Sequence, residues 1–304
     1  MAQQVIDTTT DHGSYKGDPA KVAFEKTNAN FSEIYPLVSS GGKNLLINCG
    51  LPFNQRGFAG GSLAAGAYGY DRWKAGSGGC NLSINATTGV FTHNSGPIQQ
   101  IVEAPQLAWG QILTFSVESP TGTLTVSIGG ATGTITAGSG RRSVTVTPSG
   151  SGHMTVQITA SGATYSRPQL ERGSSATAFD VRPWAVEFAL CQRYYEKSYN
   201  ANMAPGTADR TGSYRCGIMN GFFLSAGSVA FAVQKRGIPA IAIYAARDGS
   251  VGNGSEVGSS GTFVANRSVI PSNIGTSQFQ TGSNNGGAAA GNTIEFHWTA
   301  DAEL

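Results

Sequence analysis

Apolar side chains at every second position set the strongest limit on what this chain can become. Leu124, Val126 and Ile128 alternate with polar residues, as do Val144 with Val146, and Met154, Val156 and Ile158; threonine and serine are the commonest partners. That period belongs to a pleated strand with one face buried and one wet, not to a helix. Ile112 to Val117 is a further candidate strand. Gly129-Gly130 and Ser149-Gly150-Ser151-Gly152 mark turns between these runs. The pattern returns later in Val229, Phe231 and Val233, in Ile241 and Ile243, and in Ile294, Phe296 and Trp298, with Tyr214 to Leu224 and Thr262 to Asn266 as two more candidates. Short strands broken by turn residues at this spacing predict β-sandwiches. Composition agrees. Glycine supplies 42 of 304 residues and charged residues only 12%, against roughly 25% in an average globular chain. A hydrophobic share of 39% is enough for real cores and excludes a disordered polar tract.

Two stretches carry helical spacing instead. Asp18-Pro19 offers a capping side chain followed by proline at the first helical position, and Pro36 sets the expected end. Between them Ala20, Phe24, Thr27, Phe31 and Ile34 step by four, three, four and three, a short heptad seam. A helix this short is marginal alone, so the seam needs cover. Copies of itself in a trimeric bundle are the preferred partner; another protein and the body of the chain are the alternatives. Ser39-Ser40-Gly41-Gly42 follows as a flexible linker. The second stretch is Trp184 to Lys197. Trp184, Phe188, Cys191 and Tyr195 form one stripe, and Val186, Leu190 and Tyr194 a second beside it. So wide an apolar surface predicts a buried connector helix, with an amphipathic helix docked on one domain as the alternative. Pro183 suits its first turn, and Asp180 is a candidate cap. The expected organisation is mainly all-β: a helical arm and linker over residues 1–43, a β-sandwich over 44–182, a connector helix over 183–199 and a second β-sandwich over 200–304.

The same residues exclude several functions. Net charge is +2, without the clustered basic face of a nucleic-acid binder; Arg141-Arg142 and Lys235-Arg236 read as solvated turns. No apolar run approaches about 18 residues, so no membrane insertion is expected. Cys49, Cys80, Cys191 and Cys216 form no C-x-x-C pair, and the four histidines show no metal-ligand spacing. No nucleophile elbow, phosphate loop or dinucleotide fingerprint occurs. No catalytic residue, cofactor or metal site is expected. Glycan cleavage would need two carboxylates facing one cleft, and Asp71, Glu103, Glu118, Asp248 and Glu295 form no sequence pattern.

Four separated segments carry a likeness. They are GDPAKVAFEKTNANFSEIY (Gly17 to Tyr35), NLLINCGLPFNQRGF (Asn44 to Phe58), YGYDRWKA (Tyr68 to Ala75) and the run from Arg167 to Tyr199 that begins RPQLERG. In this order they resemble tail-fibre and prophage tail proteins of bacterial viruses. The resemblance implies a carbohydrate-binding-module-like jelly roll for residues 44–182. It also implies a virion tail location after synthesis in the bacterial cytoplasm, and contact with the host surface. Within YGYDRW, Tyr68 and Tyr70 offer faces for sugar rings while Asp71 and Arg72 offer hydrogen bonds to hydroxyls. The preferred reading of this stretch puts Trp73 in the sandwich core with Asp71 and Arg72 tying strand ends together. In the second β region, long glycine-rich loops at Asn202 to Ser213, Asp248 to Gly261 and Pro271 to Asn292 read as adaptable recognition tips. Tyr244, Arg247, Asn253, Asn284 and Asn285 are the candidate receptor contacts. The expected function is a homotrimeric tail fibre that binds a host-surface glycan or protein by multivalent, non-enzymatic adhesion, its arm attached to other tail or baseplate proteins. A structural tail part without receptor binding, and a glycan-degrading tailspike, are the alternatives.

Overall fold

A computed structural model of the chain describes residues 5–38, 43–218, 228–282 and 287–304, the side chains of 30–38 excepted. It is mainly β. The first unit is a sandwich of two antiparallel sheets. One runs in the order Gly61–Leu63, Cys80–Ile84, Val90–Ser95, Ala163–Arg172, Leu113–Glu118, Arg141–Val146, and the other Lys74–Ala75, Pro97–Val102, Met154–Thr159, Leu124–Ile128, Ala131–Ile135. The alternating residues point where the period demands. Val126, Ile128, Val156 and Ile158 from one sheet meet Phe91, Phe115 and Leu170 from the other in one core. Gly129-Gly130 closes the hairpin between Leu124–Ile128 and Ala131–Ile135 with positive φ at both residues, and a Cβ on Gly129 would meet the Trp109 ring at 2.4 Å.

The second unit is built around the nine-residue strand Thr293–Asp301. Its two edges pair with four strands: Tyr195–Lys197 and Tyr214–Gly217 on one side, Ala240–Ala245 and Asn253–Val257 on the other. Phe263–Ser268 extends the sheet beyond Asn253–Val257. A small sheet of Val229–Ala230, Gln278–Gly282 and Ile270–Ser272 covers it, and Phe231, Phe279 and Trp298 pack together between the two.

Several expectations are corrected. The arm helix α1 (Ala20–Val38) starts after Pro19 but runs through Pro36, since a proline in the last turn forfeits only one intrahelical hydrogen bond. Asp18 is not spent on capping that helix; its carboxylate accepts from the Asp7 N–H and from Lys26. On the seam, Phe24 is 69% exposed and Thr27 donates its hydroxyl to Ala23; the side chains of Phe31 and Ile34 lie outside the described residues. Helix α2 (Trp184–Gln192) is shorter than its periodicity predicts and has no side-chain cap, because Asp180 instead accepts from the Asn44 N–H. It ends where Tyr195 leaves to pair with Asp301. Nor is it buried on two sides. It docks on the first sandwich through Phe53, which meets the Trp184 and Phe188 rings at 5.2 and 5.1 Å, while Trp184 stays 64% and Val186 49% exposed. Lys235 and Arg141 are not solvated. Lys235 is fully buried on Glu196 at 2.5 Å, and Arg141 opens a strand with Glu118 beside it. Two of the long loops hold strands: Asn253–Val257 lies inside the expected loop from Asp248, and Gln278–Gly282 inside the one from Pro271. All four cysteines are buried free thiols. Among the described residues no helix is long and apolar enough to cross a membrane.

Candidate functional site

The Tyr68 to Trp73 stretch forms a seam inside the molecule. Trp73 is fully buried, its Nε1 donating to the Asn48 carbonyl and its ring edge-on to Phe91 at 5.6 Å. Asp71 and Arg72 are 0% and 1% exposed, so the expected sugar contact at Tyr70, Asp71 and Arg72 is corrected: no face of these side chains is open to a ligand. Arg72 pairs with Glu303, donates to the Ile101 carbonyl and lies 3.5 Å over the Tyr194 ring. Arg56 sits over Tyr195 and reaches Asp301 at 3.1 Å. Asp71 accepts both the backbone N–H and the side-chain amide of Gln55, whose amide also reaches the Tyr195 carbonyl. Burial holds the Asp71 carboxyl above its ordinary value, against the pull of Arg56. Tyr68, half-buried, gives its hydroxyl to the Leu304 carbonyl. These groups fasten the first sandwich to the last strand of the second unit.

One candidate receptor contact of the second unit, Arg247, lines an open basin of about 630 Å³ together with Ala208, Asp209, Arg210, Ala246, Asp248 and Phe263. Two loops make its wall, and they press backbone to backbone: a Cβ on Gly249 (φ +74°) would stand 1.8 Å from the Gly206 carbonyl. The loop holding Gly206 is fastened from beneath. The Tyr199 hydroxyl oxygen accepts the Gly206 N–H, while its ring stacks on His297 at 3.8 Å. The His297 Nε2 lies 3.0 Å from the Asp209 carbonyl and its Nδ1 2.9 Å from the Ser198 hydroxyl. Burial lowers the His297 pKa, and because the Asp209 carbonyl can only accept, Nε2 is the nitrogen that carries a proton towards it.

Below the basin floor Glu295 is fully buried. It accepts two hydrogen bonds from Arg210, at 2.8 and 2.7 Å, and one from Arg215. Arg210, then burial, then Arg215 act on its carboxyl, and the net effect holds it below the ordinary value. The Arg247 Nε stands 3.9 Å from the same carboxylate, and its Nη2 donates to the Gly261 carbonyl. Two guanidinium groups are thus held in place at the wall. Asp209 and Asp248 stand with them. Both carboxyls are lowered, chiefly by the backbone N–H groups of Thr211 and Ser250 respectively, so both are ionised acceptors. Asp248 continues into a polar chain: Asn266 donates to it and to the Ser250 hydroxyl, which also receives the Asn253 amide. Phe263, 41% exposed, is the one aromatic residue of the lining, with Ala208 and Ala246 beside it.

Of the expected contacts, then, Arg247 lines the basin and Asn253 braces its rim. Tyr244 supports it from behind, edge-on to Tyr199 at 6.0 Å. Asn284 and Asn285 lie outside the described residues. The sequence does not single out Asp209, Arg210 or Phe263, where each stands alone; only the fold brings Asp209 to His297 and Arg210 to Glu295. Among the described residues no cluster of His, Cys, Asp and Glu can hold a metal. A second cleft of about 190 Å³ lies between Cys49, Leu51, Phe53, Phe179 and Trp184. Its polar groups are engaged with the protein itself: Arg182 donates to the carbonyls of Leu46 and Asn44 and to Glu187.

No family model matches the chain, and no curated protein does. Among solved structures it is similar to discoidin II of Dictyostelium discoideum, at 10% identity and a TM-score of 0.24 over 74% of this chain and 83% of that one. It is also similar to a GH26-CBM35 β-(1,4)-mannanase of Podospora anserina, at 12% identity and a TM-score of 0.21 over 45% of this chain and 30% of that one. A cycloisomaltooligosaccharide glucanotransferase of Paenibacillus sp. follows at 9% identity and a TM-score of 0.22, over 82% and 47%. Likenesses of this size carry no argument about activity, and the function is reasoned from the site.

Proposed function

We propose that the protein is a tail-fibre component of a bacterial virus that binds a glycan of the host surface at the basin, without cleaving it. One observation carries the reading: ionised acceptors, tethered guanidinium donors and a half-exposed aromatic ring converge on one open depression, the equipment of a polar-ligand site. The non-enzymatic part rests on the carboxyls. A glycosidase acid must keep its proton near neutral pH, which takes a raised pKa; Asp209 and Asp248 are both lowered. The virion location and tail partners rest on the resemblance of the four segments. Homotrimeric assembly rests on the heptad spacing of α1 and on the exposure of Phe24. Several such sites on one particle would add weak contacts into firm adhesion.

The exposed apolar group of Leu51, Val181, Trp184 and Val186 favours a second reading, a structural tail part whose faces pack on neighbours. One preparation separates the readings. The proposed fibre coats host cells, leaves their surface glycans full length and scatters light as three chains. Release of short oligosaccharides would instead establish the tailspike, and absence of any cell binding the structural part.

A further inference from the structure

We infer that the basin takes an uncharged sugar of the hexose type, laid with its C–H face on Phe263, and discriminates against acidic sugars. The inference rests on the glycan-binding reading above and narrows it. The lining holds Arg210 and Arg247 against Asp209 and Asp248, and below them Glu295 is matched by Arg215. Cations and anions balance, three of each. An acidic sugar would meet as much repulsion as attraction, and so gains nothing from long-range complementarity.

The chemistry left at the wall is a mixture of donors and acceptors. A guanidinium offers five N–H donors and no acceptor; an ionised carboxylate offers only acceptors. A sugar hydroxyl both donates and accepts, so neighbouring hydroxyls can satisfy Asp248 and Arg247 together, which a carboxylate ligand cannot. The groups are also set before a ligand arrives. Glu295 fixes Arg210, the Gly261 carbonyl fixes Arg247, and Asn266 with the Ser250 N–H fixes Asp248. Preset partners reduce the ordering cost of binding. The ring of Phe263 presents its negative π face to whatever lies on it. That suits the slightly positive C–H face of a hexose and disfavours an anion.

The test is calorimetric or NMR titration of the full chain with methyl glycosides of neutral hexoses and with the matching uronic-acid glycosides. The expected result is binding of at least one neutral glycoside that changes less than about twofold between low and high salt, as unscreened neutral contacts require. Asp248→Asn and Phe263→Ala should each weaken that binding by about tenfold or more, with melting temperatures unchanged to show that the variants fold. Preference for the uronic-acid glycosides, with affinity falling steeply in salt, would overturn the inference and leave glycan binding standing. If no sugar of either kind binds, and both variants still coat cells like the parent, the inference and the reading beneath it fall together.

Discussion

Tyr68–Trp73 and Arg247–Asn253 are the two stretches whose aromatic, charged and amide side chains most invite a binding role, and they end in opposite settings. The first is sealed. Arg72 and Asp71 find their partners in Glu303, Arg56 and Gln55, and nothing is left for a ligand. The second stays open, although it has as many protein partners, because those partners hold its groups from below and behind. Charged and aromatic side chains close together are therefore no guide to a binding site. What decides is whether a segment more than 200 residues away in the chain closes over them, as Asp301 to Leu304 does over Tyr68–Trp73.

The largest effect follows from breaking the sealed region. Arg72→Ala leaves Glu303 buried without its closest cation, a defect that costs about 3–5 kcal/mol. Urea unfolding should register that loss in full. Arg72→Met combined with Glu303→Leu should lose less than the single change, since two matched apolar groups leave no orphaned charge there. If the double variant is the weaker, the pair is not the fastening it is taken to be.

An intermediate effect sets the two regions against each other in acid. The Glu295 carboxyl is depressed, with the Arg210 pair as first cause. Its stabilising contribution is complete above the ordinary 4.5 and is lost as pH falls from there through the folded value. Glu295→Gln should therefore cost roughly 2 kcal/mol at neutral pH, with the deficit closing in acid. Asp71 has the opposite sign. Burial raises its carboxyl above 3.8, so the folded state holds the proton longer, and stability falls as pH rises from 3.8 through the folded value. Asp71→Asn should remove that falling limb. Denaturation midpoints across the acid range check both slopes, and slopes of one sign in the two variants would contradict the assignment.

How far these regions could be read in advance follows the same division. The strands Leu124–Ile128 and Met154–Thr159 were legible because each buries every second residue against the facing sheet. Asn253–Val257 was not, because it buries Ser255 and Glu256. Glu256 is satisfied by Arg267, the Ala289 N–H and Asn292, and such a strand has no apolar period to read. Helix α2 was legible as a helix but not in length: Cys191 and Tyr195 keep helical spacing, yet pairing of Tyr195 with Asp301 outweighs local preference. Trp73 reads as core from the sequence and is core. The basin was legible only in Arg247 and Asn253. Asp209 and Arg210 acquire their role from His297 and Glu295 on the last long strand, a partnership that no local pattern announces.

The smallest expected effect on stability belongs to the open region. Phe263 is 41% exposed, and Phe263→Ala leaves the Glu295 cluster, the Gly206–Gly249 contact and the sheet register untouched. Surface substitutions away from such features stay within about 0.5 kcal/mol. The melting temperature should hardly move, while attachment to cells falls. That combination is the opposite of Arg72→Ala, in which stability falls with no binding group removed. If Phe263→Ala instead destabilises like a core truncation, the ring is a structural member of the second unit, and the open region would have to be regarded as sealed in the manner of the first.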